Sequence, residues 1–224
     1  MKVSIIIPAY NEAKTIEQVI KKVKKLKFNK EIIVVNDGST DETYNKIKRI
    51  RGIKLLNHSK NLGKGAAVKT GIKRSSGEIL IIQDADLELD PIQIPKVIAP
   101  IKKGQSEVVY GSRNLGKKDS GRSPLFYLGG LFITFLTNFL YGIKLTDEPC
   151  GYKAFSSKVI KSIDIKNNRF EWEPEVTAKL SKRNIKISEV SVDVTSRSIK
   201  EGKKLRRIDG LKAAWTLIKY RFTV

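Results

Sequence analysis

The stretch Ile79-Leu80-Ile81-Ile82-Gln83-Asp84-Ala85-Asp86-Leu87-Glu88-Leu89-Asp90 decides how the rest of the chain is read. Its first four residues are apolar and branched, as in a strand buried on both faces. Asp84, Asp86 and Glu88 then follow at alternating positions. A fully buried strand presents carboxylates only where it emerges, so the three are expected together at the sheet's carboxyl edge. Hard oxygen ligands gathered there suit Mg²⁺ or Mn²⁺ bound to a diphosphate, because Mg²⁺ takes one or two protein carboxylates and completes its shell with phosphate and water. Taken alone, residues 83–90 fit an acidic strand-to-loop turn equally well, since Asp is common in turns.

Upstream, the same apolar theme recurs. Val3-Ser4-Ile5-Ile6-Ile7-Pro8 reads as a buried parallel strand ended by proline. Thr15–Leu26 carries Ile16, Val19, Ile20, Val23 and Leu26 at helical spacing, with lysines on the opposite face. Glu31–Asn36 is a second strand, and Asp37-Gly38-Ser39-Thr40-Asp41-Glu42 opens a second helix with capping residues and early acids. A third strand is predicted at Ile53–Leu56 and a third helix at Gly63–Arg74, with Gly63 and Gly65 letting the helix start approach the sheet. This β-α-β-α-β-α-β order argues for an open, mainly parallel α/β sheet with right-handed crossovers. Ligands bind outside the carboxyl ends of such strands. Pro8–Glu12, Asn36–Ser39 and Asp84–Glu88 all fall there, and three polar segments at one edge are harder to dismiss as turns than one.

Downstream, Glu107–Gly111 is a further strand, followed by Ser112-Arg113 and a polar loop to Arg122. The 21 residues from 123 to 143 carry no charge. Length permits a membrane span, but Pro124, Gly129, Gly130, Asn138 and Gly142 argue against one. An apolar helix lying in a membrane interface over about 124–143 is expected, with a buried core helix as the competing reading. Asp147–Lys153 reads as a loop, Phe170 to about Lys182 as a helix, and Ile185–Val194 as a strand at or near the sheet edge. The basic region 195–224 has nine Lys/Arg against two acids and a helix from about Ile208 to Tyr220. With no repeats and no low-complexity linker, residues 1–224 read as a single domain.

Composition narrows the partners. Forty-four Lys+Arg against 23 Asp+Glu give +21, which attracts polyanions such as anionic headgroups or phosphorylated substrates; a lysine-rich solvated surface accounts for part of it. Nucleic acid is not expected, because aromatic and basic residues are not interleaved on any one strand as a stacking platform requires. The single Cys150 and the absence of a visible signal peptide point to a reducing, cytoplasmic compartment. Gly63-Lys64-Gly65 fails the dinucleotide fingerprint, since Val68 stands where glycine or alanine belongs, and no Walker-type phosphate loop occurs. His58 is the only histidine, so neither a transition-metal site nor a histidine-based triad is expected.

Six segments in this order, Ile7–Glu12, Val35–Asp41, Asn61–Gly65, Asp84–Glu88, Gly111–Arg113 and Gly151–Lys153, resemble family 2 glycosyltransferases of the polyprenyl-phosphate (dolichyl-phosphate) mannose or glucose synthase type. The likeness runs nearly end to end. It implies the GT-A (Rossmann-like) fold and a nucleotide-sugar site holding Pro8, Tyr10, Asn11 and Glu12, with Asp37 on the base or ribose. Asp84 is implied to face the nucleotide-sugar and Asp86 to ligate Mg²⁺ or Mn²⁺. Glu88, often Gln in the mannose synthases, is a further metal ligand. Arg113 and Arg122 correspond to the pair that holds the acceptor lipid phosphate, and Arg197 and Lys204 to cations that close over the donor diphosphate. Asp84, Asp86 and Arg113 are thus the implied catalytic residues.

The reaction implied is inverting transfer of a hexose from GDP-mannose or UDP-glucose to a polyprenyl or dolichyl phosphate, at the cytoplasmic face of the membrane. Many relatives carry transmembrane helices after the catalytic domain. This chain's membrane contact is instead expected through 124–143 and the basic tail, or through a membrane partner subunit. Two alternatives stay open. One is a GT-A enzyme with a saccharide or protein acceptor, using Asp147, Glu148 or Glu175 as base. The other, a sugar-nucleotidyltransferase, is disfavoured because no glycine-rich loop follows the first strand.

Overall fold

The structure is a computed structural model; it describes residues 1–116, 119–120, 123–197, 202, 204 and 206–223. The first half lays down β1 (Val3–Ala9), β2 (Lys30–Asp37), β3 (Lys54–His58) and β4 (Ile79–Ile82), joined by α1 (Ile16–Lys25), α2 (Thr43–Lys48) and α3 (Lys64–Arg74). These four strands are parallel, with β1 between β2 and β4. The second half adds α4 (Ile94–Lys102), β5 (Val108–Ser112), β6 (Asp119–Ser120), α5 (Pro124–Tyr141), β7 (Lys153–Ser156), α6 (Ser157–Ser162), α7 (Trp172–Lys182), β8 (Ile187–Ser191), β9 (Val194–Thr195) and α8 (Arg207–Phe222). The main sheet runs β3-β2-β1-β4-β7-β5-β8, and β6 and β9 form a separate pair.

The alternation along β1 explains why both sheet faces are covered. Ile5 and Ile7 pack with Ile16, Val19, Ile20 and Val23 of α1 and with Val97 and Ile98 of α4. Ile6 points the other way, into a cluster with Val68 and Ile72 of α3 and Trp172, Val176 and Leu180 of α7. A strand with both faces buried has no room for charge along its length. The chemistry is therefore displaced to its end.

Two sequence expectations need correction. The loop expected over Asp147–Lys153 ends one residue early, at Tyr152, and Lys153–Ser156 is a strand that the sequence does not announce, β7, inserted antiparallel between β4 and β5. A lysine at a strand's start obscures it, and this one is fully buried because Nζ donates to the carbonyls of Glu148 (2.5 Å) and Cys150 (3.0 Å) and stands over the Tyr110 ring. The buried-core reading of 124–143 also fails. α5 is long and apolar enough to cross a membrane, but only 17% of it is buried in the protein.

Candidate active site

The loops leaving β1, β2 and β4 meet at one edge and are stitched together by their own polar atoms. Asn11, in a left-handed conformation (φ 48°), accepts the Thr40 N–H on its side-chain oxygen (2.8 Å) and donates its backbone N–H to Ser39 Oγ (3.0 Å). Glu12 N–H donates to Thr43 Oγ1 at 2.8 Å. Thr15 Oγ1 donates to the Ala85 carbonyl (2.7 Å) and to Glu12 Oε2 (3.0 Å). Pro8–Glu12, Asp37–Asp41 and Asp84–Glu88 thus share one edge, as the strand order required.

The acidic loop is bent back on itself. Leu87 takes a left-handed φ of 64°, a conformation that costs a side-chain-bearing residue about 1–2 kcal/mol and that clusters where function holds it in place. Glu88 N–H then donates to Asp86 Oδ1 at 3.0 Å. Thr195, on β9, donates its N–H to the Glu88 carbonyl (3.0 Å) and carries the C-terminal segment across this loop. Arg197 follows. Its guanidinium bonds both oxygens of Glu12 (3.1 Å each) and Asp86 Oδ2 (3.1 Å), and its backbone N–H reaches Glu88 Oε1 (3.2 Å). Lys204 Nζ lies 2.6 Å from Glu12 Oε1 and donates to the Tyr10 carbonyl. Of the basic pair implied to close over a diphosphate, both members converge on Glu12.

Asp84 is held from the opposite side. Lys64 Nζ is 2.8 Å from Asp84 Oδ1 and 2.9 Å from Glu173 Oε1. Burial would lower the Lys64 pKa, but the two carboxylates outweigh it and raise the pKa, keeping the ammonium charged. Gly151 leaves the space Asp84 occupies: a Cβ there would collide with Asp84 Oδ2. Tyr152 OH donates to Gln83 Oε1 (2.6 Å) and to the Asp90 carbonyl (2.9 Å), while Gln83 Nε2 donates to the carbonyls of Asp84 and Leu89. The Gly151-Tyr152-Lys153 segment is therefore the brace of the acidic loop.

The electrostatics favour a further cation. Burial, with Asp84 and Glu88 as like-charged neighbours, pushes the Asp86 carboxyl up to about 6 despite Arg197 beside it. Arg197 Nε is buried without a hydrogen-bond partner, 3.8 Å from Glu88 Oε1. For Glu12, burial would raise the pKa, but Arg197 and Lys204 hold it below the usual range. Among the described residues no three His, Cys, Asp or Glu side chains stand close enough to hold a metal by themselves. An all-oxygen donor set with residual negative charge still fits Mg²⁺ or Mn²⁺, which needs only one or two carboxylates beside substrate phosphate.

Arg113 leaves the end of β5 and is clamped by Asp147: Nε to Oδ2 and Nη2 to Oδ1, each 2.7 Å, with its own N–H to Oδ2 at 2.9 Å. Burial would lower its pKa, and the Asp147 contacts raise it instead. Asp147 is in turn fixed by Glu189, which accepts its N–H at 3.1 Å. Arg122 lies outside the described residues. Asp37 is 2% exposed and accepts the N–H groups of Leu62 (3.0 Å) and Gly63 (2.8 Å) and pairs with His58 Nδ1 (2.7 Å). His58 Nε2 is 2.9 Å from Thr70 Oγ1. This Asp-His-Thr row has the order of a triad, but its geometry braces the turn at 61–63 against β2. Gly63 and Gly65 do permit a close approach, although the neighbour is the 167–169 backbone and not the sheet.

Sequence reading missed Lys64 and Glu173 as site residues. In the sequence Lys64 stands only as part of the glycine-rich Gly63-Lys64-Gly65, and Glu173 lies more than a hundred residues away on α7. Only the fold joins them.

The model of glycosyl transferase family 2 matches residues 4–164. A UDP-N-acetylglucosamine–dolichyl-phosphate N-acetylglucosaminyltransferase of Methanococcus voltae is 32% identical over 210 residues, covering 84% of this chain and 83% of that one. A dolichyl-phosphate beta-glucosyltransferase of Trichomonas vaginalis is 31% identical, covering 97% of this chain and 72% of that one. Among solved structures, glucosyl-3-phosphoglycerate synthase from Mycobacterium tuberculosis in complex with UDP superposes with a TM-score of 0.77 at 21% identity, over 98% of this chain and 80% of that one. The same enzyme has been solved with Mn²⁺, UDP and phosphoglyceric acid (TM-score 0.74); at this identity the likeness speaks for the fold. On the family match, the relatives and the shared architecture, the chain belongs to glycosyl transferase family 2 and is a glycosyltransferase of the GT-A fold.

Proposed function

We propose that the protein is an inverting glycosyltransferase that moves a hexose from a nucleotide-diphosphate sugar to a polyprenyl or dolichyl phosphate at the cytoplasmic face of the membrane. The observation that carries this reading is the division of charge at the strand edge. Buried carboxylates with Arg197 and Lys204 form one side, suited to a departing diphosphate. Asp147 holds the Nε/Nη2 edge of Arg113 and fixes the guanidinium, whose remaining N–H groups would meet a second phosphate. Pro8, Tyr10, Asn11, Glu12 and Asp37 border the side where the nucleotide would lie.

Asp86 and Glu88 would hold Mg²⁺ or Mn²⁺, which when bound stabilises charge growing on the leaving diphosphate. Arg197 and Lys204 would then turn from Glu12 and Asp86 towards the diphosphate oxygens, adding positive charge where negative charge develops. A lipid monophosphate is already anionic near neutral pH, so its oxygen attacks the sugar's C1 without a general base. Arg113 and Arg122 would orient it in line with the departing group.

That independence from a base distinguishes lipid phosphate from a hydroxyl acceptor. Asp147 is committed to Arg113. Glu148 is buried, its pKa raised by that burial, and it accepts from Thr177 Oγ1 at 2.9 Å. Glu175 is fully buried among Lys179, Tyr220 and two backbone N–H groups. None of the three is poised as a base. The relatives named above act on dolichyl phosphate by their names, which supports the same acceptor here.

The test supplies purified protein with polyprenyl phosphate and radiolabelled GDP-mannose, UDP-glucose or UDP-N-acetylglucosamine, with Mg²⁺ or with chelator. Label entering the organic phase from one donor, only with metal, is expected. Label that stays aqueous with every donor would overturn the reading. Inversion further predicts a β-linked product from an α-linked donor, and an α-anomeric signal in the product's proton NMR spectrum would contradict it.

A further inference from the structure

A row of buried charges that no step of the reaction uses runs between the donor side of the site and the acceptor side. It begins at Asp84, whose Oδ1 is 2.8 Å from Lys64 Nζ. Lys64 Nζ also lies 2.9 Å from Glu173 Oε1. The other oxygen of Glu173 faces a second ammonium, with Oε2 at 3.9 Å from Lys153 Nζ. Lys153 is wholly buried and donates to the carbonyls of Glu148 (2.5 Å) and Cys150 (3.0 Å). The turn carrying those carbonyls is closed by the Cys150 N–H on the Asp147 carbonyl at 3.3 Å. The Asp147 carboxylate in turn clamps Arg113. Each end of the row is thus a residue that faces one substrate.

Glu173 is the middle of this row, shared by both lysines. It stands in the first turn of α7, where negative charge suits the positive end of the helix. Its side chain is 10% exposed. Buried ion pairs add little stability over well-packed apolar residues, because desolvation offsets most of their attraction. The alternation of sign does fix spacing: a displaced Glu173 carboxylate pulls on both lysines, and each lysine is tied to a different side of the site. Little slack is left in either arm. Gly151 lies so close to Asp84 Oδ2 that a Cβ would collide with it. Thr177, one turn beyond Glu173, donates to the Glu173 carbonyl (3.0 Å) and to the Glu148 carboxylate (2.9 Å), fastening α7 to the 148–150 turn.

We propose that Glu173 is a positioning residue for sugar transfer, holding Asp84 through Lys64 and Arg113 through Lys153 and the 147–150 turn, so that donor and acceptor meet at one fixed spacing. The proposal rests on the reading of Asp84 as donor-facing and Arg113 as acceptor-facing. In-line attack is steeply sensitive to misplacement of the reacting groups, so the row acts on the rate of the bound complex and not on the affinity for either substrate.

Glu173→Gln tests this with almost no change of shape. Its amide oxygen can still accept from Lys64, but its NH₂ then opposes the Lys153 ammonium. Steady-state kinetics with nucleotide-sugar, Mg²⁺ and polyprenyl phosphate in detergent should show kcat lowered about tenfold to a hundredfold. Each KM should stay within about threefold of wild type, the pattern of an interaction that matters only in the transition state. Glu173→Asp should recover part of the loss. Adding Lys64→Met to Glu173→Gln should cost little beyond the larger single effect, as members of one unit do. Glu175→Gln is the control for packing: it breaks a buried ion pair on the same helix, with Lys179, outside the row. It should lower the melting temperature and keep kcat.

An unchanged kcat in Glu173→Gln would overturn the proposal. So would a loss confined to one substrate's KM, which would make Glu173 a contact of that substrate. Additive costs in the Lys64–Glu173 cycle, or an equal fall of kcat in Glu175→Gln, would overturn it as well. Wild-type activity and the variant's ratio to it report separately. A wild type that leaves polyprenyl phosphate unlabelled overturns the reading of the reaction together with the acceptor arm of the row. An active wild type matched by Glu173→Gln overturns the positioning role alone.

Discussion

Asp86 occupies the position on which the charge balance of the site turns. It is half-buried, bordered by two like charges and pushed up to about 6 although Arg197 and the Glu88 N–H act against this, so replacing it changes the site's affinity for any cation. Asp86→Ala is expected to lower transfer at least about a hundredfold, measured as initial rate at saturating donor with Mg²⁺ titrated. Lys64 acts through Asp84, holding its carboxylate between Gly151 and Glu173. Lys64→Met should cost about tenfold to a hundredfold in kcat, the scale of a misplaced reactive group, and Lys64→Arg should recover part of it. A Lys64→Met enzyme with unchanged kcat would remove Lys64 from the site. Arg113→Ala should raise the KM for the lipid phosphate more than that for the nucleotide-sugar. Equal effects on both would contradict its placement on the acceptor side.

Secondary structure elements show where the sequence was informative and where it was silent. β1, β2 and β4 were legible because branched apolar runs have one stable place in a parallel sheet, and their ends located Glu12, Asp37 and Asp84 before any coordinates. β7 was not, since its burial of Lys153 depends on carbonyls that only the folded loop at 148–150 presents. The pairing of Glu12 with Arg197 joins residues 185 apart, and nothing local announces it; the resemblance implies both at a nucleotide-sugar site but no contact between them. α7 shows a similar limit. Its apolar Val176, Ala178 and Leu180 are buried, as their type suggests, but Glu175 and Lys179 are buried as well, because α8 packs over them. Burial would raise the Glu175 pKa, yet Lys179 and the N–H groups of Lys166 and Asn167 hold it below its ordinary value of 4.5. A lowered native pKa means stability that is complete above about pH 4.5 and is lost as pH falls through the native value. Glu175→Gln should therefore destabilise by about 3 kcal/mol at neutral pH, with the difference from wild type shrinking in urea melts near pH 3. A constant difference across that range would contradict the ion pair.

At the scale of the whole molecule, one sheet edge gathers the carboxylates and their cations, while α5 and α8, packed against each other, present a separate apolar face under a net charge of +21. Both features suit a donor taken from water and an acceptor taken from a membrane. The measurement that bears most directly on this account offers the purified protein its nucleotide-sugar with two lipids of equal chain length in one detergent solution, a polyprenyl phosphate and the corresponding polyprenol. Chromatography then separates the labelled products. Label on the phosphate lipid alone is predicted, because the phosphate supplies both the nucleophile and the group that Arg113 grips. Label on the polyprenol, or on a water-soluble saccharide added in its place while the phosphate lipid stays unlabelled, would contradict it.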